Sequence, residues 1–244
     1  MYKIGIPLLD NALKGGLPDR AVIILSGPPG SGFSIFAQQF LFNGLKNSEN
    51  GLYFTSEESP SEVKEEMKFF GWDIDPYLKD EKLKFIDAYT PRYQNLFEGE
   101  EETSDDLLSW DVGAANMLGV HFSDYIKSLE GKKCRGIVDN FSYLLRTNEL
   151  DEMVDLFETI QLTIKKYGGV YFFLVVEGMH EEKIMSTICH MADGVIQFSV
   201  NERGSNIERY MKMLKLKRTI YSSRLIPYRI VGKGIELETT ERIL

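Results

Sequence analysis

The sequence predicts an α/β protein: a doubly wound, mainly parallel sheet flanked by helices, with an antiparallel strand extension at the C-terminal end. Three observations predict it. Short apolar runs alternate with amphipathic helical patterns through most of the 244 residues. The run VYFFLVV at Val170–Val176 is apolar at successive positions, as a strand covered on both faces must be. After Val200 the runs Ile207–Lys217, Arg224–Val231 and Gly234–Leu237 alternate and sit close together, which suits hairpins better than crossovers.

In chain order, Tyr2–Arg20 holds a short helical pattern closed by Gly15, Gly16 and Pro18. The first strand is expected over Ala21–Ser26. A glycine-rich turn follows, and then a helix from Ser34 to about Lys46 with Phe36, Phe40 and Leu41 on one side. The strand Leu52–Thr55 leads to Glu57 and Glu58, and Ser59, Pro60 and Glu62 form the signature of a capped helix start. A third strand is expected over Leu83–Asp87. The acidic run Glu98–Asp106 has no apolar periodicity and reads as a solvated insertion, with an acidic docking site for a basic partner as the sharper alternative. Helical patterns resume near Leu107 and reach Leu129 with a break near Gly119. Next come the strand Arg135–Asp139, a helix carrying Met153, Leu156, Phe157, Ile160 and Ile164, the strand Val170–Val176 and a helix over about His180–Met191. The strand Val195–Val200 precedes the candidate extension, Ile207–Lys217, Arg224–Val231 and Gly234–Leu237.

The stretch with the most chemistry in it is GPPGSGFS, residues Gly27, Pro28, Pro29, Gly30, Ser31, Gly32, Phe33 and Ser34. Its spacing is that of a phosphate-binding loop, in which backbone N–H groups at the positive end of a helix cradle phosphate. Ser34 stands where the magnesium-binding hydroxyl belongs, whereas the lysine position holds Phe33. Taken alone, the loop reads equally as a strand-to-helix turn that needs glycine for backbone reasons. Glu57 and Glu58 lie just past a strand, where open α/β sheets place their ligands. One of them reads as well as a helix-start or solvated residue. Asp139 ends its strand in a position suited to hold magnesium through water, or to cap the turn before Asn140.

Composition narrows the function classes. With 43% hydrophobic residues the chain can bury a core, and residues 1–244 are read as one domain. No apolar run approaches a membrane span and no signal-peptide pattern opens the chain, so a cytoplasmic protein is expected. Cys134, Cys189, His121, His180 and His190 fall in no metal-ligand spacing. A net charge of −9 gives no general attraction to nucleic acid.

The segments YKIGIPLLDNALKGGLPDR, GPPGSGFS, TSEES, RGIVDNFS, HMADGVIQF and LKLKRTIYSSRLIPYRIVGKGIEL, in this order over nearly the whole chain, resemble one KaiC-type domain of the RecA-like P-loop ATPase superfamily. The resemblance implies a RecA-like core, ATP and magnesium bound at a subunit boundary, and a homo-oligomer, often a ring hexamer. It implies that Gly27 to Ser34 hold the nucleotide, with Ser34 and Asp139 at magnesium. Glu57 and Glu58 then correspond to the pair that supplies the water-activating base. Lys215 and Lys217, with Arg218 beside them, match positions that reach a neighbour's ATP.

Phe33 departs from that pattern. Loss of a charge-assisted hydrogen bond worth about 1.5 to 3 kcal/mol weakens phosphate binding by roughly tenfold to a hundredfold, which leaves binding at cellular ATP levels and cuts hydrolysis further. The ring can pack beneath the loop or against a neighbour, with the missing charge replaced by Lys215 or Lys217 across an interface. The expectation is therefore a KaiC-like ATP-binding regulatory protein with weak or lost hydrolysis and a protein partner of unknown kind. A nucleotide-free RecA-like scaffold is the alternative. A recombinase-like DNA-binding ATPase is the third, disfavoured because Asn140–Asp155 offers Arg146 amid Glu149, Asp151, Glu152 and Asp155.

Overall fold

A computed structural model of the chain describes residues 1–91, 115, 118–204 and 206–238. Among them, nine strands form one sheet: β1 (Ala21–Gly27), β2 (Asn50–Thr55), β3 (Leu83–Asp87), β4 (Cys134–Asp139), β5 (Val170–Val176), β6 (Gly194–Arg203), β7 (Asn206–Leu216), β8 (Ile226–Val231) and β9 (Gly234–Leu237). The order is β3-β2-β4-β5-β1-β6-β7-β8-β9. Strands β1 to β6 pair in parallel, and β7, β8 and β9 continue the sheet antiparallel from β6. This is the α/β class and the C-terminal extension that the alternating patterns predict.

The helices are α1 (Pro7–Ala12), α2 (Phe33–Lys46), α3 (Pro60–Phe69), α4 (Asp75–Lys79), α5 over 118–128, α6 (Phe141–Thr147), α7 (Leu150–Tyr167) and α8 (Glu182–Met191). They cover both faces of the sheet, and the period of two along β5 makes both cores. Phe172 packs on Phe36 and Phe40 of α2, with ring centroids 5.8 and 4.4 Å away. Its neighbour Phe173 faces Phe141 and Phe157 on the other side, at 5.0 and 5.3 Å.

The differences from the sequence reading have physical causes. Helices α4 and α6 are too short to establish a helical period. Helix α5 includes Gly119, where a Cβ would lie 3.0 Å from Leu156 Cδ1, so the glycine allows close packing inside a helix; residues 116 and 117, beside the expected break, lie outside the described residues. The acidic run Glu98–Asp106 and the helical pattern from Leu107 lie outside the described residues.

Register positions the site. Gly27 pairs with Val176 and Thr55 with Asp139, which brings the carboxyl ends of β1, β2, β4 and β5 to one edge of the sheet. Ligands bind there in folds of this kind.

Candidate functional site

The turn from β1 into α2 is shaped by glycine. Gly30 and Gly32 have φ of 79° and 81°, a region that L side chains avoid. A Cβ on Gly30 would meet nothing within 4 Å, so the loop is open at that point. Gly32 caps α2 without any side-chain hydrogen bond to its first turn. The first N–H groups of the helix thus keep their capacity to bind an anion.

Phe33 turns away from this opening. Its side chain is 7% exposed and belongs to the core between α2 and the sheet, 6.4 Å from the ring of Phe198 on β6. What Phe33 retains for a phosphate is its backbone N–H. The loop is braced from outside by the C-terminal extension, a feature the sequence reading missed. Arg209 Nε of β7 donates to Gly30 O at 3.0 Å, Tyr228 Oη of β8 donates to Ser31 O, and Ile230 packs against Gly32.

Beside the loop, Ser34, Thr55, Glu57, Glu58, Glu66, Asp139 and Asn140 line a cavity of about 160 Å³. Four expected residues, Ser34, Glu57, Glu58 and Asp139, thus meet in one place, and Glu66 joins them unforeseen. Its helix α3 begins at the expected capping box, in which Ser59 Oγ accepts from Glu62 N and Glu62 Oε2 accepts from Ser59 N. On α3, Val63 and Met67 are buried, and Glu66 lies on their flank with Oε2 2.6 Å from Gln38 Nε2 of α2. Gln38 sits one helical turn after Ser34, so the i, i+4 relation to the loop hydroxyl carried the signal for it.

None of the cavity-lining side chains among the described residues is basic, and the electrostatics follow. Asp139 accepts from Tyr53 Oη at 2.7 Å. Burial nevertheless pushes its carboxyl up to about 7, with Glu58, Glu57 and Glu66 adding to the rise. Glu58 is also raised, first by burial and then by Glu66, Glu62 and Glu57. Glu57 Oε2 accepts from Asn140 Nδ2 at 2.9 Å. The peptide bond between Asp139 and Asn140 is cis.

This donor set fits magnesium bound with a phosphate chain. Magnesium takes oxygen ligands, keeps several waters and needs only one or two protein groups beside the phosphates. Ser34 and Asp139 supply such groups, and among the described residues no Lys or Arg is paired with the surrounding carboxylates. Among the described residues no cluster of three or more His, Cys, Asp or Glu side chains forms a metal cage of its own.

Lys215, Lys217 and Arg218 lie elsewhere. Lys215 Nζ donates to Cys189 O and His190 O at the end of α8, at 3.1 and 2.6 Å. Burial, then Lys217, lowers its pKa. Lys217 Nζ is 3.3 Å from Asp193 Oδ1, and Arg218 Nη2 donates to Arg20 O at 2.9 Å. None of the three lines the acidic cavity of its own chain.

Comparison with known proteins bears on this arrangement. The family model described as the KaiC ATPase matches residues 2–242. The chain is 30% identical over 240 residues to a UPF0273 protein of Thermotoga maritima, covering 98% of this chain and 96% of that one. It is 32% identical over 234 residues to a UPF0273 protein of Pyrococcus horikoshii, covering 96% and 92%. Among solved structures, a KaiC-like protein of Pyrococcus horikoshii superimposes with a TM-score of 0.70 at 23% identity, covering 97% of this chain and 98% of that one. The last likeness bears on the fold.

Proposed function

The chain belongs to the KaiC ATPase family, and from that premise we propose that it is an ATP-binding regulatory domain, a single unit over residues 1–244, whose hydrolysis is weak or lost. One observation carries the reading: Ser34, Glu57, Glu58 and Asp139 share a single cavity beside the loop while the Phe33 ring is packed outside it. A scaffold freed from nucleotide would have no need for four acids, counting Glu66, gathered at one edge of the sheet with no ion-pair partner among the described residues.

In this reading Gly27 to Ser34 hold the phosphates through backbone N–H groups, with Ser34 Oγ and the Asp139 carboxylate at magnesium. The ion, when bound, neutralises phosphate charge that a lysine would otherwise share. Glu58, with its raised pKa, is poised to take a proton from water, and Glu57 is fixed beside it by Asn140. Lys215, Lys217 and Arg218 serve a neighbouring copy in a homo-oligomer, a ring hexamer in the family pattern. Nucleotide then changes shape or assembly state to signal to a protein partner in the cytoplasm.

The test is titration of a fluorescent ATP analogue with and without magnesium. Saturable, magnesium-dependent binding at or below millimolar concentration is expected. No saturation in that range would leave the scaffold reading in its place.

A further inference from the structure

We propose that Asn140 is a positioning residue for the Glu57 carboxylate, and that the Ser142–His180 pair braces Asn140 from behind. This rests on the nucleotide reading above, and it assigns work to three residues that touch no nucleotide in that reading.

Every polar group of Asn140 is engaged. Its backbone N donates to Ser56 Oγ at 3.0 Å, and its carbonyl accepts from the same hydroxyl at 3.3 Å. Its side chain spans two elements: Oδ1 accepts from Ser142 N at 2.8 Å, and Nδ2 donates to Glu57 Oε2 at 2.9 Å. The amide orientation is not open to a flip, because the Ser142 backbone N–H can only donate and so must face the amide oxygen. Asn140 is therefore 5% exposed and held in one pose, with its donor end aimed at one oxygen of Glu57.

Ser142 links this residue to β5. Its N–H serves Asn140, while its Oγ accepts from Val176 N at 2.8 Å and bonds His180 Nε2 at 2.8 Å. A serine beside a histidine invites the reading of an activated nucleophile, but the Ser142 side chain is fully buried and its oxygen is already committed to the Val176 N–H. The pair acts as a strut between the start of α6 and the segment after β5. Displacing His180 loosens Ser142, and a loosened Ser142 lets Asn140 and Glu57 drift from the cavity.

A plain helix cap explains half of this. Capping uses Oδ1, and Asp performs it as well as Asn; donation from Nδ2 to Glu57 is what a cap does not require. Asn140→Asp separates the two roles, since it keeps the cap and replaces the donor with a carboxylate oxygen that repels Glu57. Asn140→Ala loses both. The measurements are the unfolding midpoint and amide exchange of the nucleotide-free protein, the Kd for a fluorescent ATP analogue with magnesium, and ATP turnover.

Asn140→Asp is expected to keep wild-type exchange at Ser142 and a Kd within threefold, while turnover falls at least tenfold. Asn140→Ala is expected to speed exchange at Ser142 as well. His180→Ala should raise exchange at Val176 at least tenfold and lower turnover two- to fivefold at unchanged Kd, with His180→Gln restoring both. Wild-type turnover in Asn140→Asp, or unchanged Val176 exchange in His180→Ala, overturns the proposal. So does a wild-type protein that binds the analogue but turns over no ATP, a result that leaves nucleotide binding standing. Absence of binding in the wild type removes the nucleotide reading itself, and this one with it.

Discussion

The ring of Phe33 lies against that of Phe198, tilted by 45° with 6.4 Å between centroids, so the residue in the lysine position belongs to the core and not to the cavity rim. Phe33→Ala is accordingly expected to destabilise the protein by about 3 kcal/mol, read from urea unfolding, while the affinity for magnesium-ATP changes less than threefold. Phe33→Lys should lower the melting temperature and tighten nucleotide binding by roughly tenfold, the gain of one charge-assisted hydrogen bond. Calorimetric titration distinguishes that gain from a lysine that stays in the core.

Asp139 is half-buried among like charges, so Asp139→Asn relieves a cost that the protein carries without magnesium. The variant keeps an acceptor for Tyr53 Oη. Its melting temperature in a chelator is expected to rise above wild type by about 2 to 4 °C, corresponding to about 1 kcal/mol. The stabilisation that magnesium-ATP confers on the wild type should disappear. A variant still stabilised by the nucleotide and metal would place magnesium elsewhere.

Tyr228 and Arg209 hold two carbonyls of the loop from the C-terminal extension. Tyr228→Phe leaves the Ser31 carbonyl without that donor at an unchanged ring, at a cost of about 1 to 2 kcal/mol. Denaturant unfolding measures it. Because the loop loses its brace, nucleotide affinity is expected to fall in the same variant by about threefold to tenfold.

The action of Lys215 and Lys217 on a neighbour is open to a mixing experiment. A Glu58→Gln variant and a Lys215→Ala, Lys217→Ala double variant, each inactive alone, are expected to recover part of the ATP turnover when combined and allowed to exchange subunits. Recovery requires the lysines of one copy to serve the acidic pair of another. Inactivity of the mixture at every ratio, with exchange verified by mass, would confine the lysines to the end of α8 and to Asp193, where they bond within the chain.

Ser59 caps α3 directly after Glu58. Ser59→Ala is expected to cost about 1 kcal/mol by thermal unfolding. Glu62 is held below the usual carboxylate range by its two hydrogen bonds with Ser59, so the part of the capping that its carboxylate contributes is complete above the ordinary glutamate pKa and is lost as pH falls through the lowered one. The gap between wild type and variant should therefore narrow in acid.

How much of this was legible before the coordinates depends on the range of each interaction. The capping box at Ser59 and the strand Val170–Val176 are local and appear where their spacing puts them. The meeting of Ser34, Glu57, Glu58 and Asp139 followed from motif order and from the rule that parallel strands deliver ligands at their carboxyl ends. Glu66 was missed because its role depends on which flank of α3 faces α2, and Asn140 because a cap and a positioning amide look alike in one dimension. Arg209 and Tyr228 were hidden for another reason: they are 179 and 197 residues from the loop carbonyls they hold, and no local pattern reports a contact at that separation.

The buttress that β7 and β8 give to the turn before α2 has a practical meaning for anyone trimming this chain. Cutting after β6, as the parallel part of the sheet invites, would discard Arg209, Tyr228 and Ile230 and leave the glycines without support on that side. A fragment that keeps these three contacts must extend at least through Ile230, and the late hairpins are as much a part of the turn's architecture as the residues that line it.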